Sequence, residues 1–246
     1  FYSFRDLGNE AGHQGIEGFY NNQLTGRPVQ MVISMDPYMI KEVPDVPPGA
    51  DVVLTIDREM QSAVENILER ALEKNGARTG TIVVMNPENG EILVMATAPR
   101  LNPNTYWNFG KVFDNGNSYN NAVAATYEPG SVFKVLTMAA ALDAGAVKPE
   151  TTFTDYGSIN VGGVNITNWD LGAWGEQDMT GCLRHSLNVC LSWVATELGP
   201  TKFYQYMDAF GIGHRTNIDL AGEESFPLTV PGDSNWYAVN LATNSF

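Results

Sequence analysis

Hydrophobic side chains in residues 58–74 recur at the spacing of an amphipathic helix. They return every three or four positions, which puts them on one helical face: Met60, Val64, Ile67, Leu68, Ala71 and Leu72. Asp57 precedes this stripe and is a residue type that caps helix N-termini. The pattern predicts a capped helix that buries one face, with a short strand, "VVLTID", directly before it.

The run "GTIVVMNPENGEILVMATAP" at residues 80–99 predicts a β-hairpin. Two stretches rich in β-branched and aliphatic residues flank "NPENG", which supplies the turn-forming residues. Residues 99–126, by contrast, are rich in Asn and aromatic residues. We expect them to form an irregular loop.

Most of the second half of the chain shows helical patterns, and Pro and Gly residues mark where the helices begin and end. Helices are predicted at 131–145, at 179–199 as helix, turn and helix, at 201–213, and from about residue 235. The glycine-rich residues 157–169 instead predict short strands or loop.

The first 43 residues are polar and glycine-rich, and predict short strands and turns rather than a long helix. Pro44, Pro47 and Pro48 with Gly49 then form a stiff, non-helical connector. We therefore expect a domain boundary near residue 46, which divides the chain into residues 1–45 and 46–246.

The charge balance excludes one class of partner. The chain has 28 acidic residues against 14 Lys and Arg, which gives a net charge of −14. Such a chain repels phosphate backbones, so we expect no nucleic-acid partner. The 43 % of hydrophobic residues is enough for a sizeable core, although no run of about 18 apolar residues predicts a membrane span.

Two cysteines, Cys182 and Cys190, stand eight residues apart. On an unbroken helix this spacing separates them by about 12 Å, because each residue rises 1.5 Å. That distance is too long for a disulfide. With no metal-ligand cluster around them, we expect two thiols buried by packing.

The segment "YEPGSVFKVLTMAAAL" contains a candidate nucleophile and its base. Ser131 and Lys134 are three residues apart, so they share one helical face. Apolar neighbours and the positive end of the helix dipole both disfavour the ammonium form of Lys134, which lowers its pKa. A neutral lysine could take the proton of the serine hydroxyl. The alternative is an N-cap serine beside a solvated lysine.

A second polar pair is needed to relay protons, and a Ser-x-Asn motif would supply a hydroxyl and an amide. Three such motifs occur: Ser118/Asn120, Ser158/Asn160 and Ser186/Asn188. Spacing alone does not choose among them. The context favours Ser186 and Asn188, because a turn between two helices can project side chains into a cleft.

Six segments in order resemble the class B penicillin-binding proteins, the peptidoglycan D,D-transpeptidases, and most closely the cell-division type. "YEPGSVFK" resembles their nucleophile segment, and "SLNV" follows at the usual distance. The other four are "GIEGFYNNQLTG", "VVLTIDREMQSAVE", "GTIVVMNPENGEILVMATAPRLNPN" and "FGIGHRTNIDLAGE" with the closing "LATNSF". The resemblance implies an α+β fold like that of serine β-lactamases, with helices flanking an antiparallel sheet, after a remnant of a pedestal domain at 1–45.

The resemblance also implies site residues and partners. Ser131 would attack D-Ala-D-Ala stem peptides and would be acylated by β-lactams, and Lys134 would activate it. Ser186 would relay a proton to the leaving D-alanine, and Asn188 would bind the substrate amide. No cofactor or metal is implied. The place of action would be the extracytoplasmic face of the bacterial cytoplasmic membrane, among divisome or elongasome proteins.

One family motif is missing from the sequence. Neither Lys-Thr-Gly nor Lys-Ser-Gly occurs, although the resemblance places such a strand after "NSF". We therefore expect a chain truncated at both ends, without its C-terminal strands and its N-terminal anchor helix, and inactive alone. Other classes remain open: a serine β-lactamase, or a β-lactam sensor or divisome scaffold that keeps the fold.

Several residues near these motifs are given structural roles. We expect His185 to be structural or at the surface, as we do the other two histidines, His13 and His214. Glu128 is assigned to turn solvation, with contact to the cleft as the alternative. Trp169 and Trp174 are assigned to packing or loop anchoring, with a place along the groove as the alternative.

Overall fold

The computed structural model describes residues 2–5, 9–26, 47–112 and 119–246. They fall into two compact units. The first unit takes the described residues up to Thr126 together with Asn217–Glu224, and the second takes Tyr127–Thr216 and Ser225–Phe246. The predicted boundary near residue 46 lies outside the described residues and stays a prediction.

The first unit begins with small elements. Strands β1 (Tyr2–Arg5) and β2 (Asn9–Gly12) pair antiparallel, and two short helices follow, α1 (Gly15–Phe19) and α2 (Asn21–Leu24). This agrees with the short strands predicted there, and it adds helices of a single turn.

The predicted helix is confirmed as α3 (Arg58–Asn75). In this helix, Leu68, Val64 and Leu72 of the predicted stripe face the core, whereas Met60 and Ile67 are exposed. Its N-terminus is capped as expected, since the Asp57 carboxylate accepts a hydrogen bond from the Met60 amide at 2.8 Å. It ends at Gly76, whose φ of 62° is the left-handed conformation that glycine adopts without strain.

The predicted hairpin is also confirmed, as β3 (Gly80–Met85) and β4 (Ile92–Ala98). Their antiparallel register runs from Gly80 opposite Ala98 to Met85 opposite Ile92, with an irregularity at Val84/Met85. One face of the hairpin packs on α3 and forms the core of this unit, with Leu68, Val94, Ala96 and Ala98 buried.

The strand predicted at "VVLTID" is wrong, because residues 51–57 have no regular structure. The Asp57 amide donates to the Leu93 carbonyl, and the Thr55 hydroxyl donates to the Ile92 carbonyl. A strand needs a repeating backbone ladder. Here a side chain makes one of the two bonds, so the segment lies along β4 without joining the sheet.

The loop predicted at 99–126 is wrong in part. Its described residues include a 3₁₀ helix at Pro103–Asn108 and two one-turn helices, α4 (Phe109–Val112) and α5 (Asn121–Ala124). Asn102 and Asn120 cap two of these elements, each accepting from the amide two residues on. The asparagines that favoured a loop therefore also serve as N-caps.

The second unit carries the remaining elements. A 3₁₀ turn at Gly130–Phe133 leads into α6 (Lys134–Asp143), and the other helices are α7 (Met179–Arg184), α8 (Asn188–Leu198), α9 (Pro200–Ala209) and α10 (Ala238–Thr243). Strand β5 (Thr152–Asp155) pairs with β8 (Gly175–Asp178), and β6 (Ser158–Val161) pairs with β7 (Val164–Thr167). All described strand pairs are antiparallel, which agrees with the predicted α+β class.

Helix α8 lies at the centre of the second unit and packs against α6, α9 and α10. Its buried residues are Val189, Cys190, Leu191, Ser192, Val194, Ala195 and Leu198. Helix α6 turns one face into this core, with Met138 and Ala141 buried there. Lys134 and Thr137 are buried on the same helix, and the 3.6-residue period places them in line with Met138 and Ala141.

The two cysteines form a disulfide, so the expectation of separate thiols is wrong. Their Cα atoms are 5.9 Å apart rather than about 12 Å, because the chain turns between α7 and α8 and the helix is not continuous. The disulfide therefore closes a loop that contains the whole turn from Leu183 to Val189.

Candidate active site

The Lys134 amine is the centre of a buried polar cluster. Only 2 % of the residue is exposed. Nζ donates to the Ser186 carbonyl oxygen at 2.7 Å, to Ser186 Oγ at 2.9 Å and to Asn188 Oδ1 at 2.7 Å. The structure thus brings together three of the four predicted site residues.

Burial changes the acid–base behaviour of this lysine. It lowers the pKa of Lys134 from its usual 10.5 to about 8, because the ammonium loses solvation in the core. The Phe246 ring lies 5.8 Å from Nζ and offers a π face to the ammonium form. A substantial neutral fraction at mildly alkaline pH makes this amine a competent proton acceptor.

Ser186 occupies the predicted turn between two helices. Its φ of 54° lies in the left-handed region, which is strained for a serine and is maintained by the surrounding structure. The turn is closed by hydrogen bonds from the Ser186 amide to the Leu183 carbonyl and from the Leu187 amide to the Cys182 carbonyl. Both the hydroxyl and the carbonyl of Ser186 consequently face Lys134.

Asn188 is the first residue of α8, and strand β7 orients its side chain. Asn188 Nδ2 donates to the Thr167 carbonyl at 3.2 Å, which leaves Oδ1 to accept from Lys134. If the amide were turned over, its NH₂ group would meet the lysine donor. The carbonyl of Thr167 therefore selects the amide orientation that Lys134 requires.

Ser131 lies at the mouth of the site. It is exposed, in the 3₁₀ turn before α6, and it lines a cavity of about 710 Å³ to which Asn188 also contributes. Across the part of the chain that the structure describes, no hydrogen bond joins Ser131 to Lys134. The predicted contact between Ser131 and Lys134 is thus not present as a hydrogen bond in this structure.

The competing Ser-x-Asn motifs have structural roles in their own elements. Asn160 Oδ1 accepts from the Gly163 amide and closes the turn between β6 and β7. Asn120 caps α5, while Ser118 lies outside the described residues. Among the described residues of the three motifs, those that contact Lys134 are Ser186 and Asn188, the pair that the turn context favours.

The structure agrees with the assignments of Glu128 and Trp174, and favours the alternative for Trp169. Trp169, expected to pack, is 72 % exposed and lines the same cavity as Ser131. Glu128 is exposed as expected but also lines this cavity. Trp174 packs against the core and stacks on His185, with ring centroids 4.2 Å apart. The described residues contain no group of His, Cys, Asp and Glu that could hold a metal ion.

Sequence reasoning missed the residues that support the site from outside the motifs. Asp155 and Asn168 form a buried pair, and the Asn168 side chain accepts from the Val189 amide. The Thr137 hydroxyl, one turn after Lys134, donates to the Ser245 carbonyl at 2.9 Å. These contacts join residues 13 to 108 positions apart, so no local spacing signals them.

Comparison with known families agrees with this geometry. Residues 80–244, about two thirds of the chain, match the penicillin binding protein transpeptidase domain. The chain belongs to this family. The resemblance predicted from the motifs is therefore confirmed.

Curated relatives of this penicillin-binding protein extend along nearly all of its length. Stage V sporulation protein D of Bacillus subtilis is 34 % identical over 99 % of the chain. Peptidoglycan D,D-transpeptidase FtsI of Escherichia coli is 29 % identical over 97 %. The chain spans only 38 % and 40 % of the length of these two proteins.

Solved structures support the fold. Penicillin binding protein 3 of Mycobacterium tuberculosis, complexed with aztreonam, aligns with 98 % of the chain at 27 % identity and a TM-score of 0.76. PBP2 of Pseudomonas aeruginosa, in complex with WCK 5153, aligns with 93 % at 26 % identity and a TM-score of 0.73. The alignments cover 50 % of each of those chains. The predicted penicillin-binding protein fold is confirmed.

Proposed function

We propose that the protein carrying this chain is a serine-type peptidoglycan D,D-transpeptidase that β-lactams acylate. One observation supports this most strongly. A buried lysine with a pKa lowered to about 8 hydrogen-bonds both polar residues of a Ser-x-Asn motif, three residues after a serine that opens onto a cavity. Acyl transfer through a serine requires a nucleophile, a base and a proton relay in one place.

In the first step, Ser131 Oγ attacks the carbonyl carbon of the penultimate D-alanine in a stem peptide. Its proton passes to the neutral amine of Lys134 as the new C–O bond forms. The bond from this carbonyl carbon to the nitrogen of the terminal D-alanine then breaks. That nitrogen takes up a proton, and D-alanine leaves the acyl-enzyme.

Ser186 offers a route for that proton. Its Oγ is 2.9 Å from Lys134 Nζ, within the distance for direct proton transfer. The protonated lysine can donate to Ser186, while the Ser186 hydroxyl donates to the leaving nitrogen. In the second half of the reaction the same groups take a proton from the amine of a neighbouring stem peptide, which attacks the ester and restores the Ser131 hydroxyl.

The residues that line the cavity are suited to binding a peptide-sized substrate. Asn188 places a polar group beside Ser131, and Trp169 presents an exposed aromatic surface. We assign Asn188 to the amide of the stem peptide, with Lys134 and the Thr167 carbonyl fixing its direction. β-Lactams would bind here because their strained amide occupies the place of the D-Ala-D-Ala bond.

Intact-mass measurement tests the nucleophile, using the natural full-length polypeptide that contains this sequence. Opening of the β-lactam ring releases no atoms, so benzylpenicillin should add its whole mass once. The Ser131→Ala variant should show no adduct, since it lacks the attacking oxygen. A Ser158→Ala variant, from the competing Ser-x-Asn motif, is the control and should keep it. An adduct that survives in Ser131→Ala would refute the proposal.

The same experiment separates the alternative functions. A serine β-lactamase would form an adduct that hydrolyses within the assay and would turn over penicillin. A β-lactam sensor or divisome scaffold would form a stable adduct, or none, and would not cross-link a donor stem peptide to an acceptor amine. A stable adduct together with cross-linking is the result that we expect.

The cellular setting is part of the proposal. We place the protein at the extracytoplasmic face of the bacterial cytoplasmic membrane, with residues 1–45 belonging to a pedestal domain and 46–246 to the transpeptidase domain. The Cys182–Cys190 disulfide supports an oxidising compartment. In the parts of the chain that are described, no helix has the length and apolar character needed to cross a bilayer. Peptidoglycan-synthesis proteins of the division or elongation machinery are the expected partners.

A further inference from the structure

A buried acid–amide pair lies beside the start of α8. Asp155 and Asn168 are each 1 % exposed. Asn168 Nδ2 donates to Asp155 Oδ2 at 2.6 Å and to the Gly172 carbonyl at 3.0 Å, while the Gly157 amide donates to Asp155 Oδ1 at 2.8 Å. Buried polar groups are costly unless paired, so these bonds fix the direction of the Asn168 amide.

The remaining oxygen of that amide contacts α8. Asn168 Oδ1 accepts from the Val189 amide at 3.2 Å. The first amides of a helix lack partners within the helix, and a side chain at the N-cap position usually accepts from them. The N-cap of α8 is Leu187, which is fully buried and has no acceptor in its side chain. Asn168 therefore supplies, from another segment, the cap that Leu187 cannot provide.

A second hydrogen bond joins the same two segments: it links Thr167, directly before Asn168, to Asn188, directly before Val189. The Thr167 carbonyl accepts from Asn188 Nδ2 at 3.2 Å, and Asn188 Oδ1 then accepts from Lys134 at 2.7 Å. Thr167, the last residue of β7, and Asn168, the residue after it, thus hydrogen-bond to two neighbouring residues at the start of α8. A shift of Asn168 would move Val189 and Asn188 together, away from Lys134.

We propose that Asn168 and Asp155 are positioning residues for the acyl-transfer site. They hold the first turn of α8 so that Ser186 and Asn188 stay within hydrogen-bonding distance of the Lys134 amine. The kinetic consequence rests on the proposed transpeptidase function, whereas the structural consequence does not.

Acylation kinetics with benzylpenicillin in the full-length polypeptide test the proposal. Asn168→Ala removes the cap, and we expect the acylation rate constant to fall on the order of tenfold to a hundredfold. The dissociation constant of the non-covalent complex should change much less, because Asn168 does not line the cavity. A loss confined to that dissociation constant would overturn the proposal.

An exchanged pair tests whether the two side chains act together. Asn168→Asp keeps an acceptor for Val189 but sets a second carboxylate against Asp155, and Asp155→Asn removes the charge that Asn168 pairs with. The double variant Asp155→Asn/Asn168→Asp restores one donor and one acceptor between them. It should acylate faster than Asn168→Asp, which lacks the donor to the Gly172 carbonyl in the same way. A double variant no faster than Asn168→Asp would overturn the pairing.

Two control variants separate positioning from general stability. Asn165→Ala makes the same change at an exposed site on β7 and should leave acylation unchanged. Val194→Ala removes buried volume from α8, more than a turn and a half beyond Asn188, and lowers stability without changing Asp155 or Asn168. If Val194→Ala slows acylation as much as Asn168→Ala at a similar loss of stability, positioning is refuted.

Amide hydrogen exchange gives a reading that does not depend on activity. Asn168→Ala should speed exchange at the Val189 amide, while Asn165→Ala should not. A wild-type protein that forms no adduct would count against the transpeptidase proposal alone, and the exchange result would still decide the positioning. Unchanged exchange at Val189 in a folded Asn168→Ala protein would overturn it.

Discussion

The Lys134 ammonium occupies the first position of a stripe that otherwise holds Thr137, Met138 and Ala141, all buried. The lowered pKa of this lysine results from its buried position. Burial removes the water that would stabilise the charge and lowers the pKa to about 8. Ser186 and Asn188 replace that water with three acceptors. A lysine on the opposite, exposed face of α6 would keep its charge and could not act as a base near neutral pH.

The lowered pKa predicts the pH dependence of acylation. Below pH 8 Lys134 is mostly protonated and has no free electron pair, so the rate of benzylpenicillin acylation should rise about tenfold per pH unit. It should level off above about pH 8, where the neutral amine predominates. Stopped-flow or quenched-flow rates between about pH 5.5 and about pH 9, roughly two and a half units below and one unit above this pKa, measure the dependence.

A charge-preserving variant checks that Lys134 is the titrating group. Lys134→Arg keeps a cation that does not lose its proton in proteins, so acylation should be lost across the whole pH range. Lys202→Arg, on the exposed surface of α9, should retain the wild-type profile. A Lys134→Arg protein that acylates with the same pH profile would show that another group is the base.

At the scale of elements, the turn between α7 and α8 places Ser186 and Asn188 within hydrogen-bonding distance of Lys134. The turn holds Ser186 at φ 54° and is bracketed by the Cys182–Cys190 disulfide. Both cysteines are fully buried in the core that α6 and α8 share. The disulfide, the two backbone hydrogen bonds of the turn and the Asn168 cap all restrain the same few residues.

Removal of the disulfide should lower the stability of this unit. The disulfide closes a loop of nine residues, from Cys182 to Cys190. The loss of chain entropy in the unfolded state corresponds to about 2–3 kcal/mol of unfolding free energy for a loop of this length. Urea titrations with and without reductant measure the loss. A Cys182→Ala/Cys190→Ala variant should start at the lower stability and should not respond to reductant. Equal midpoints for oxidised and reduced wild type would contradict the prediction.

At the scale of the whole molecule, charge and compactness have separate consequences. The net charge of −14 acts over distances longer than any contact in the site. The pKa of Lys134 is instead lowered by burial, which is a local effect. The two compact units each have a core of their own: α3 with the β3–β4 hairpin in one, and α8 with its neighbours in the other. The predicted catalytic residues all belong to the second unit.

The charge predicts how the protein behaves towards nucleic acid. Fluorescence anisotropy of labelled single-stranded and double-stranded oligonucleotides should show no binding even at about 50 mM salt, where electrostatic attraction is strongest. Saturable binding that weakens with added salt would reveal a basic patch that the net charge conceals.

Periodicity in the sequence determined α3, the β3–β4 hairpin, α6 and the α7–turn–α8 arrangement, because local propensity and amphipathic spacing are properties of neighbouring residues. The Ser131/Lys134 spacing, the turn context of Ser186/Asn188 and the family resemblance together gave the candidate site residues, whose catalytic roles stay a proposal. Local spacing failed where a tertiary contact competed with it. "VVLTID" has strand composition but finds no complete ladder, and Asn-rich residues after Pro99 cap short helices instead of forming loop throughout.

Tertiary structure alone decided the disulfide, the exposure of Trp169 and the support of Asn188 by Thr167 and Asn168. The two cysteines lie on either side of a break between helices, and Asn188 and its supporting residues belong to separate elements. The distances between them, like the exposure of Trp169, therefore depend on how the chain packs. The sequence supplied a serine, a lysine and an asparagine with suitable chemistry. Packing of α6 against α8 buried the lysine, and burial lowers its pKa as the proposed role of a base requires.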